Sequence, residues 1–460
     1  MPDQEESQEV DVVVIGLGVG GEEVASKLAE AGLTVIGIER ELVGGECPYW
    51  ACVPSKMMIR ASNLLTEARR VNGVAGTATV KPDFAPVAKR IRDEATDDWN
   101  DKVAVDRFEK KGGRFVRGSA RVDGPGRVVV GDSTFTTRRG IVIATGSAPV
   151  VPPIPGLDTT PYWTNREAIS TKQAPESLVV LGGGAVGLEL AQMFARFGSR
   201  VTIVEGSERV LRPEEPESSA LVAEALERDG ITVRTGARAV QVARDGDETV
   251  VTMEDGTTAR GAELLVSVGR HARVGEIGLE TIGLDPKAKA VEVDEWMRAG
   301  DRVWAVGDVT GVGMFTHMAM YQAGIAINDI LKRPGEPADY RGLARVTFTD
   351  PEVGSVGMTE KAAREAGLDV RTGFTKVQTS TRGWIHGPGG DGVIKLVEDA
   401  DKGILVGATS AGPVGGEVLS MLTLAVHARV PVATLRTMVY AYPTFHRAVM
   451  DALADLESGQ

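Results

Sequence analysis

An α/β fold with two Rossmann-like dinucleotide-binding domains and a C-terminal α+β domain is predicted by three features of this 460-residue chain. A strand, a glycine-rich turn, a helix and a second strand ending in an acid occur twice, once near the N-terminus and again from residue 177. The two cysteines of the chain stand together just after the first of these units. From about Val346 the pattern changes to strands and helices without phosphate-type glycine turns, which reads as a separate domain.

The first unit opens with Asp11–Ile15, a short apolar run that leads straight into a glycine turn and reads as a buried strand. It leads into Gly16-Leu17-Gly18-Val19-Gly20-Gly21, a helix from Glu22 to Ala31, and a strand from Thr34 to Ile38 that ends at Glu39. Gly16, Gly18 and Gly21 fill the Gly-x-Gly-x-x-Gly positions, which allow a tight turn and the approach of a pyrophosphate to a helix N-terminus. Glu39 lies 18 residues past Gly21, close to the interval expected of an acid that binds ribose hydroxyls. The second unit repeats the pattern. Ser177–Leu181 is the strand, Gly182, Gly184 and Gly187 are the fingerprint glycines, a helix runs to about Phe197, and Val201–Val204 ends at Glu205, again 18 residues on. Two such units imply two dinucleotides.

Between the units, Ile141–Ser147 reads as a strand running into a turn that contains Thr145 and Gly146. The proline-rich stretch Ala148–Gly156 reads as a crossover between domains. After the second unit come Ser267-Val268-Gly269-Arg270 and a short strand from Val303 that delivers Asp308 to a turn. The expected divisions are 1–150 and 271–343 for the first nucleotide domain in two parts, 151–270 for the second, and 344–460 for the C-terminal domain.

Bulk properties exclude several classes of function. A net charge of −13 with scattered basic residues argues against nucleic acid and against an anionic membrane surface. The opening MPDQEESQEV is polar and acidic, with no apolar signal region. No apolar run approaches the ~20 residues of a membrane span. With both cysteines in one motif there is no structural disulfide framework, and a cytoplasmic protein is expected. His271, His317, His386, His427 and His446 have no metal-ligand spacing, so no metal is expected.

The segment Gly44-Gly45-Glu46-Cys47-Pro48-Tyr49-Trp50-Ala51-Cys52-Val53-Pro54-Ser55-Lys56 holds both cysteines beside a nucleotide site, which points to redox chemistry over two buried core cysteines. In a regular helix residues five apart have Cα atoms roughly 8–9 Å from each other. A disulfide needs less than about 7 Å. The pair can therefore bond only if the helix is distorted or starts between them. Pro48 favours a start there, with Cys47 just outside the helix and Cys52 in its early turns. A helix N-terminus also favours the reactive thiolate. Tyr49 and Trp50 either narrow the thiol face or pack in the core.

Taken together, these motifs resemble the FAD-dependent pyridine nucleotide-disulfide oxidoreductases, the family of dihydrolipoamide dehydrogenase, glutathione reductase and mercuric reductase. Ala144-Thr145-Gly146, Gly307-Asp308 and the run Phe348-Thr349-Asp350-Pro351-Glu352 through Gly357 are similar to further landmarks of that family. The resemblance covers nearly the whole chain and implies a homodimer whose C-terminal segment completes the partner's active site. It implies FAD on the first unit, with Glu39 on its ribose, Asp308 near its ribityl chain, and Thr145 and Gly146 among the cofactor-binding positions; Gly269, after the second unit, is a further cofactor-binding position. It implies NAD(P)H on the second, with NADH favoured because Glu205 repels a 2′-phosphate, although Arg209 and Arg212 nearby oppose that effect. Cys52 would face the flavin, Cys47 would meet the substrate, and Lys56 would pair with Glu189 near the flavin and nicotinamide.

The C-terminus departs from the family. Disulfide-reducing members carry His-Pro-Thr followed by a Glu, and here the segment is Tyr440-Ala441-Tyr442-Pro443-Thr444-Phe445-His446-Arg447. Tyr442 stands in the place of the His and Arg447 in the place of the Glu. A tyrosine with a pKa near 10 is ionised in only about one molecule in a thousand at pH 7, so it is a poor base. His446 shares a face with Tyr442 if a helix starts near Pro443; it is then a displaced base or a packing residue. Mercuric reductases also lack the His, but they use a further cysteine pair that this chain does not have. The expected activity passes electrons from NAD(P)H through flavin and the Cys47–Cys52 disulfide to a disulfide, quinone or other small acceptor. A quinone reductase or diaphorase, a mercuric-reductase-like enzyme, and a flavin-binding redox sensor are the alternatives.

Overall fold

The computed structural model describes residues 7–458; residues 1–6 and 459–460 lie outside it, and with them part of the expectation about the N-terminal leader. The chain divides into two compact units. The first runs up to Pro54 and adds Lys89–Val150 and Gly269–Asp339; the second comprises Ser55–Ala88, Val151–Val268 and the chain from Tyr340 onward.

The first unit is built on a parallel core of strands in the order Arg114–Arg117, Val35–Glu39, Ser7–Ile15, Ser133–Ile143, Val303–Ala305. Val12, Val13 and Val14 are all fully buried, because a parallel sheet covered on both faces takes a continuous apolar run. The helix Val19–Glu30 starts three residues before the expected Glu22. Gly20 and Gly21 belong to its first turn, where the helix presses on the turn it emerges from: a Cβ on Gly21 would lie 2.0 Å from the Gly16 carbonyl oxygen. The proline-rich segment is not crossover from its first residue. Ser147–Pro149 is a strand paired antiparallel with Arg270–Ala272, and the unit boundary follows at Val150.

The second unit holds a parallel sheet in the order Thr232–Arg234, Arg200–Val204, Ser177–Leu181, Glu263–Val266, with the helix Ala185–Arg196 after the glycine turn. It also holds an antiparallel five-stranded sheet in the order Ala344–Thr347, Glu352–Gly357, Ile404–Gly412, Val393–Asp399, Val370–Lys376. The helices Gly415–His427 and Ala448–Ser458 bury Leu419, Leu422, Val449 and Leu453 in the core of this α+β region. Among the described residues no helix is long and apolar enough to cross a membrane.

Candidate active site

The first fingerprint is shaped by backbone crowding. Gly16 has φ +90°, and a Cβ there would meet the Ala144 oxygen at 2.4 Å. Gly18 is the N-cap of Val19–Glu30 and offers no side-chain cap, so the first helical amides are left for an anion. Glu39, at the end of its strand, accepts hydrogen bonds from Leu17 N and Glu41 N, each at 2.8 Å. Its carboxylate is therefore fixed beside the turn. Thr145 donates its hydroxyl to Arg273 O at 2.7 Å, and Gly146 and Gly269 have positive φ with open space where a Cβ would be.

Asp308 sits in the turn Gly307–Thr310. Burial pushes its carboxyl above the ordinary range, against the Ser147 hydroxyl, which donates to it at 2.5 Å. Arg270 in turn donates to the Ser147 hydroxyl at 2.8 Å and lies 3.6 Å from Glu46. Ser147 and Arg270 carried no sequence signal for this role. Together the crowded glycines, the uncapped helix and two oriented carboxylates fit a flavin dinucleotide.

The cysteine segment is seated on the same turn. Gly44 N donates to Leu17 O at 2.7 Å, and Gly44 bridges to Gly18. Gly45 approaches so closely that a Cβ on it would lie 2.7 Å from Gly18 Cα, which explains the glycine pair before Cys47. The helix between the cysteines is broken rather than begun at Pro48. Cys47 lies inside a short turn, Glu46–Tyr49; Trp50 and Ala51 interrupt it, and Cys52 starts the long helix Cys52–Arg70. Pro48 and Pro54 each take the third position of their helix, where the amide has no intrahelical partner to lose. Both cysteines are partly buried, and Cys52 Sγ is 3.3 Å from the Thr316 hydroxyl, a contact the sequence did not signal.

The aromatic residues between the cysteines have distinct places. Tyr49 is buried, and its phenol is pushed up by that burial and by the charges of Asp101 and Glu22. Trp50 stacks on Trp99 with ring centroids 5.3 Å apart, and the Trp99 indole donates to Tyr49 O at 3.3 Å.

In the second unit, Gly182 has φ +103° and a Cβ on Gly187 would lie 2.5 Å from Gly182 O. Gly184 is the uncapped N-cap of Ala185–Arg196, with nothing within 4 Å of an added Cβ. Glu205 accepts from Gly183 N and Ser207 N, each at 2.6 Å, as Glu39 does in the first unit. Arg209 is committed to the carbonyls of Leu211, Arg212 and Glu214. Lys56 Nζ donates to Glu189 Oε2 at 2.7 Å and lies 4.6 Å from the centre of the Phe348 ring. Glu189 is buried and also accepts from Phe348 N at 2.8 Å. Asp350, part of the same landmark, accepts from the guanidinium groups of Arg70 and Arg196, each at 2.8 Å. The long helix belongs to the first unit as far as Pro54 and to the second from Ser55.

Tyr442 is exposed; its hydroxyl is 3.3 Å from Thr381 Oγ1, and the Arg447 guanidinium lies 5.3 Å from its ring centre. The two departures from the family pattern thus touch each other. No α-helix starts at Pro443: a 3-10 turn, Phe445–Arg447, precedes the helix Ala448–Ser458. Tyr442 and His446 therefore do not share an α-helical face, and His446 is exposed in the short turn.

Comparison with known proteins gives the following. The family described as pyridine nucleotide-disulphide oxidoreductase matches residues 10–323, and its dimerisation domain matches residues 343–453. The dihydrolipoyl dehydrogenase of Chlorobaculum tepidum is 34% identical over 97% of this chain and 96% of its own. The mercuric reductase of Streptomyces lividans is 34% identical over 95% and 94%. The solved structure of the HOCl-induced flavoprotein disulfide reductase RclA from Escherichia coli superposes with a TM-score of 0.84 at 26% identity, covering 96% of this chain and 99% of that one.

Proposed function

The chain belongs to the pyridine nucleotide-disulphide oxidoreductase family, FAD-dependent enzymes that draw electrons from NAD(P)H, and we propose that its electrons leave through Cys47 and Cys52 to a small acceptor. The observation that carries this reading is the seating of the cysteine turn on the first fingerprint, with Gly45 against Gly18 and Cys52 beside Thr316.

In this reading Gly16, Gly18, Gly21, Glu39, Thr145, Gly146 and Asp308 hold FAD, and Gly269 is a further cofactor-binding position. Gly182, Gly184, Gly187 and Glu205 hold the nicotinamide dinucleotide. Bound flavin supplies the passage from hydride to dithiol. Lys56, fixed by Glu189, serves the hydride step. Thr316 orients Cys52, and Cys47 meets the acceptor. NADH is the favoured donor: Glu205 is locked at its strand end by two amides, and the Arg209 guanidinium is occupied by backbone carbonyls. The dimerisation region supports a homodimer in which the C-terminal segment completes the partner's site. A dithiol that must cycle fits a reducing cytoplasm.

The acceptor end favours a second reading, a quinone reductase. Tyr442 with Arg447 offers no general base, and disulfide exchange needs one more than quinone reduction does. The test is steady-state turnover with lipoamide, glutathione disulfide, quinones, Hg(II) and oxygen, each with NADH and NADPH. Turnover lost in Cys47→Ser supports the dithiol route. Quinone turnover retained in that variant supports the second reading, and no NAD(P)H oxidation with any acceptor removes both.

A further inference from the structure

A cavity of about 700 Å³ opens beside Cys47, and every residue lining it belongs to the first unit. Its walls are the helix Val19–Glu30, the Cys47 turn, and the π-turn Ile91–Ala95 with the residues that follow it. One wall carries an unmet hydrogen-bonding group. Ser26 is 1% exposed and lines the cavity, and its hydroxyl has no partner among the described residues. Buried hydroxyls are normally paired, so this one marks a place where a ligand atom is favoured.

The charge on the walls is unbalanced. Glu22, Glu23, Asp93, Glu94 and Asp97 face Arg107 and Lys111. Both cations are already in ion pairs, Arg107 with Glu22 and Lys111 with Glu30. Asp93 and Glu94 are matched from outside by Lys89, Arg92 and Arg90. Asp97 has no cationic partner among the described residues, and Glu23 meets only the charge of Lys27 one turn along its own helix, a lysine already paired with Glu30. Glu23 lies three residues before Ser26, on the same helical face, so the surplus carboxylate and the unpaired hydroxyl line one wall. The upward push on the Tyr49 phenol, to which Glu22 and Asp97 contribute, reports the same negative field.

We infer that this cavity selects acceptors carrying a compact alkylammonium group, held by Ser26 Oγ and the Glu23 carboxylate, with the reacting sulfur at Cys47. This rests on the assignment of Cys47 as the thiol that meets the acceptor. A metal cation fits less well, since no group of three or more His, Cys, Asp or Glu among the described residues is arranged to hold one. For a cationic disulfide, the Cys47 thiolate attacks one sulfur, the substrate S–S bond breaks, and the leaving thiolate takes a proton from solvent. The Cys52 thiolate then attacks the Cys47 sulfur, forms the Cys47–Cys52 disulfide, and releases the second thiolate, which is also protonated. The dithiol loses two electrons and the substrate gains them; NADH restores the dithiol.

The test uses the flavin-loaded enzyme with NADH and three disulfides of similar size: cystamine, bis(2-hydroxyethyl) disulfide and 3,3′-dithiodipropionate. An ammonium group also improves a thiolate as leaving group, so the diagnostic is how the cystamine-to-dithiodipropionate ratio of kcat/KM changes. Glu23→Gln is expected to lower that ratio about tenfold, the scale of one charge-assisted hydrogen bond. Added salt should lower it in the native enzyme, and Ser26→Ala should raise KM for cystamine. A ratio unchanged by Glu23→Gln and by salt overturns the inference. So does a Ser26→Ala variant that melts higher with unchanged KM, because the hydroxyl is then only a tolerated defect. If none of the three disulfides is reduced while NADH still bleaches the flavin, the assignment of Cys47 has failed, and the inference falls with it.

Discussion

The two nucleotide units use one sequence pattern and differ in what covers it. Both place a glycine at an uncapped helix N-terminus, and both fix a strand-end glutamate with two backbone amides. At Gly18 a second chain segment closes in: a Cβ on Gly45 would lie 2.7 Å from Gly18 Cα, while a Cβ on Gly18 itself would meet Gly45 at 4.0 Å. At Gly184 nothing stands within 4 Å of an added Cβ within the described structure. A covered turn suits a cofactor that stays; an open one suits a dinucleotide that comes and goes. The first unit therefore carries the dithiol because its glycine turn is also the floor on which the cysteine segment rests.

The largest effect expected lies at the acceptor end and leaves both turns alone. Tyr442→His with Arg447→Glu should raise disulfide turnover by about 10²–10⁴, the range for a positioned acid/base, with little change on quinones. Flavin reduction by NADH, followed by stopped flow, should be unaffected; a slower reduction would mean that the acceptor end and the nicotinamide end are not separable. The next effect contrasts the covered and open glycines. Gly45→Ala adds a clash and a methyl at φ +69°. Overpacking costs roughly 1–3 kcal/mol, and a side chain at φ +69°, ψ −147°, a backbone region reserved for glycine, about 1–3 kcal/mol more. The purified variant should have lost most of its flavin. Gly184→Ala should leave folding and flavin content unchanged, since nothing in the described structure lies within 4 Å of an added Cβ, and should instead raise KM for NADH, because the methyl stands where the pyrophosphate must approach the helix N-terminus. Equal penalties at the two glycines would break the comparison.

Lys56→Met leaves the buried Glu189 carboxylate with Phe348 N as its remaining contact among those described here. A loss of about 1–3 kcal/mol is expected in thermal or urea unfolding, below the range for a fully buried pair because Lys56 is 35% exposed. Glu189→Gln with Lys56 intact should cost less. The smallest effect concerns the matched acids. Glu205→Ala should narrow the NADH over NADPH preference by roughly fivefold, about 1 kcal/mol of charge repulsion. Glu39→Ala should leave that preference where it is and loosen FAD. A higher kcat/KM for NADPH in the native enzyme would contradict the role given to Glu205.

Local signals carried the repeated units. Ser177–Leu181 follows the sequence reading residue for residue, because a short apolar run between a proline and a glycine turn has few other solutions. The first helix starts earlier than expected because its last fingerprint glycines serve close packing rather than the turn. Distant pairings were not legible. Thr316 reaches Cys52 across 264 positions, and Trp99 reaches Trp50 from a left-handed stretch, Asp97–Trp99, that has no glycine to mark it. The break at Trp50 and Ala51 was legible only as a need for distortion between the cysteines; which residues would supply it depended on packing against Trp99. Ser26 lay unremarked inside an ordinary helical pattern, since its interest arises only from the cavity wall it faces.

The central claim is that Cys47 and Cys52 share electrons with the flavin of the covered turn, and an anaerobic titration with NADH tests it most directly. The native enzyme should accept two electrons per flavin beyond the two that FAD alone can take, with a long-wavelength band from the Cys52 thiolate to the flavin. Cys52→Ser should abolish that band and end the titration at two electrons. A native titration that already stops at two would contradict the claim.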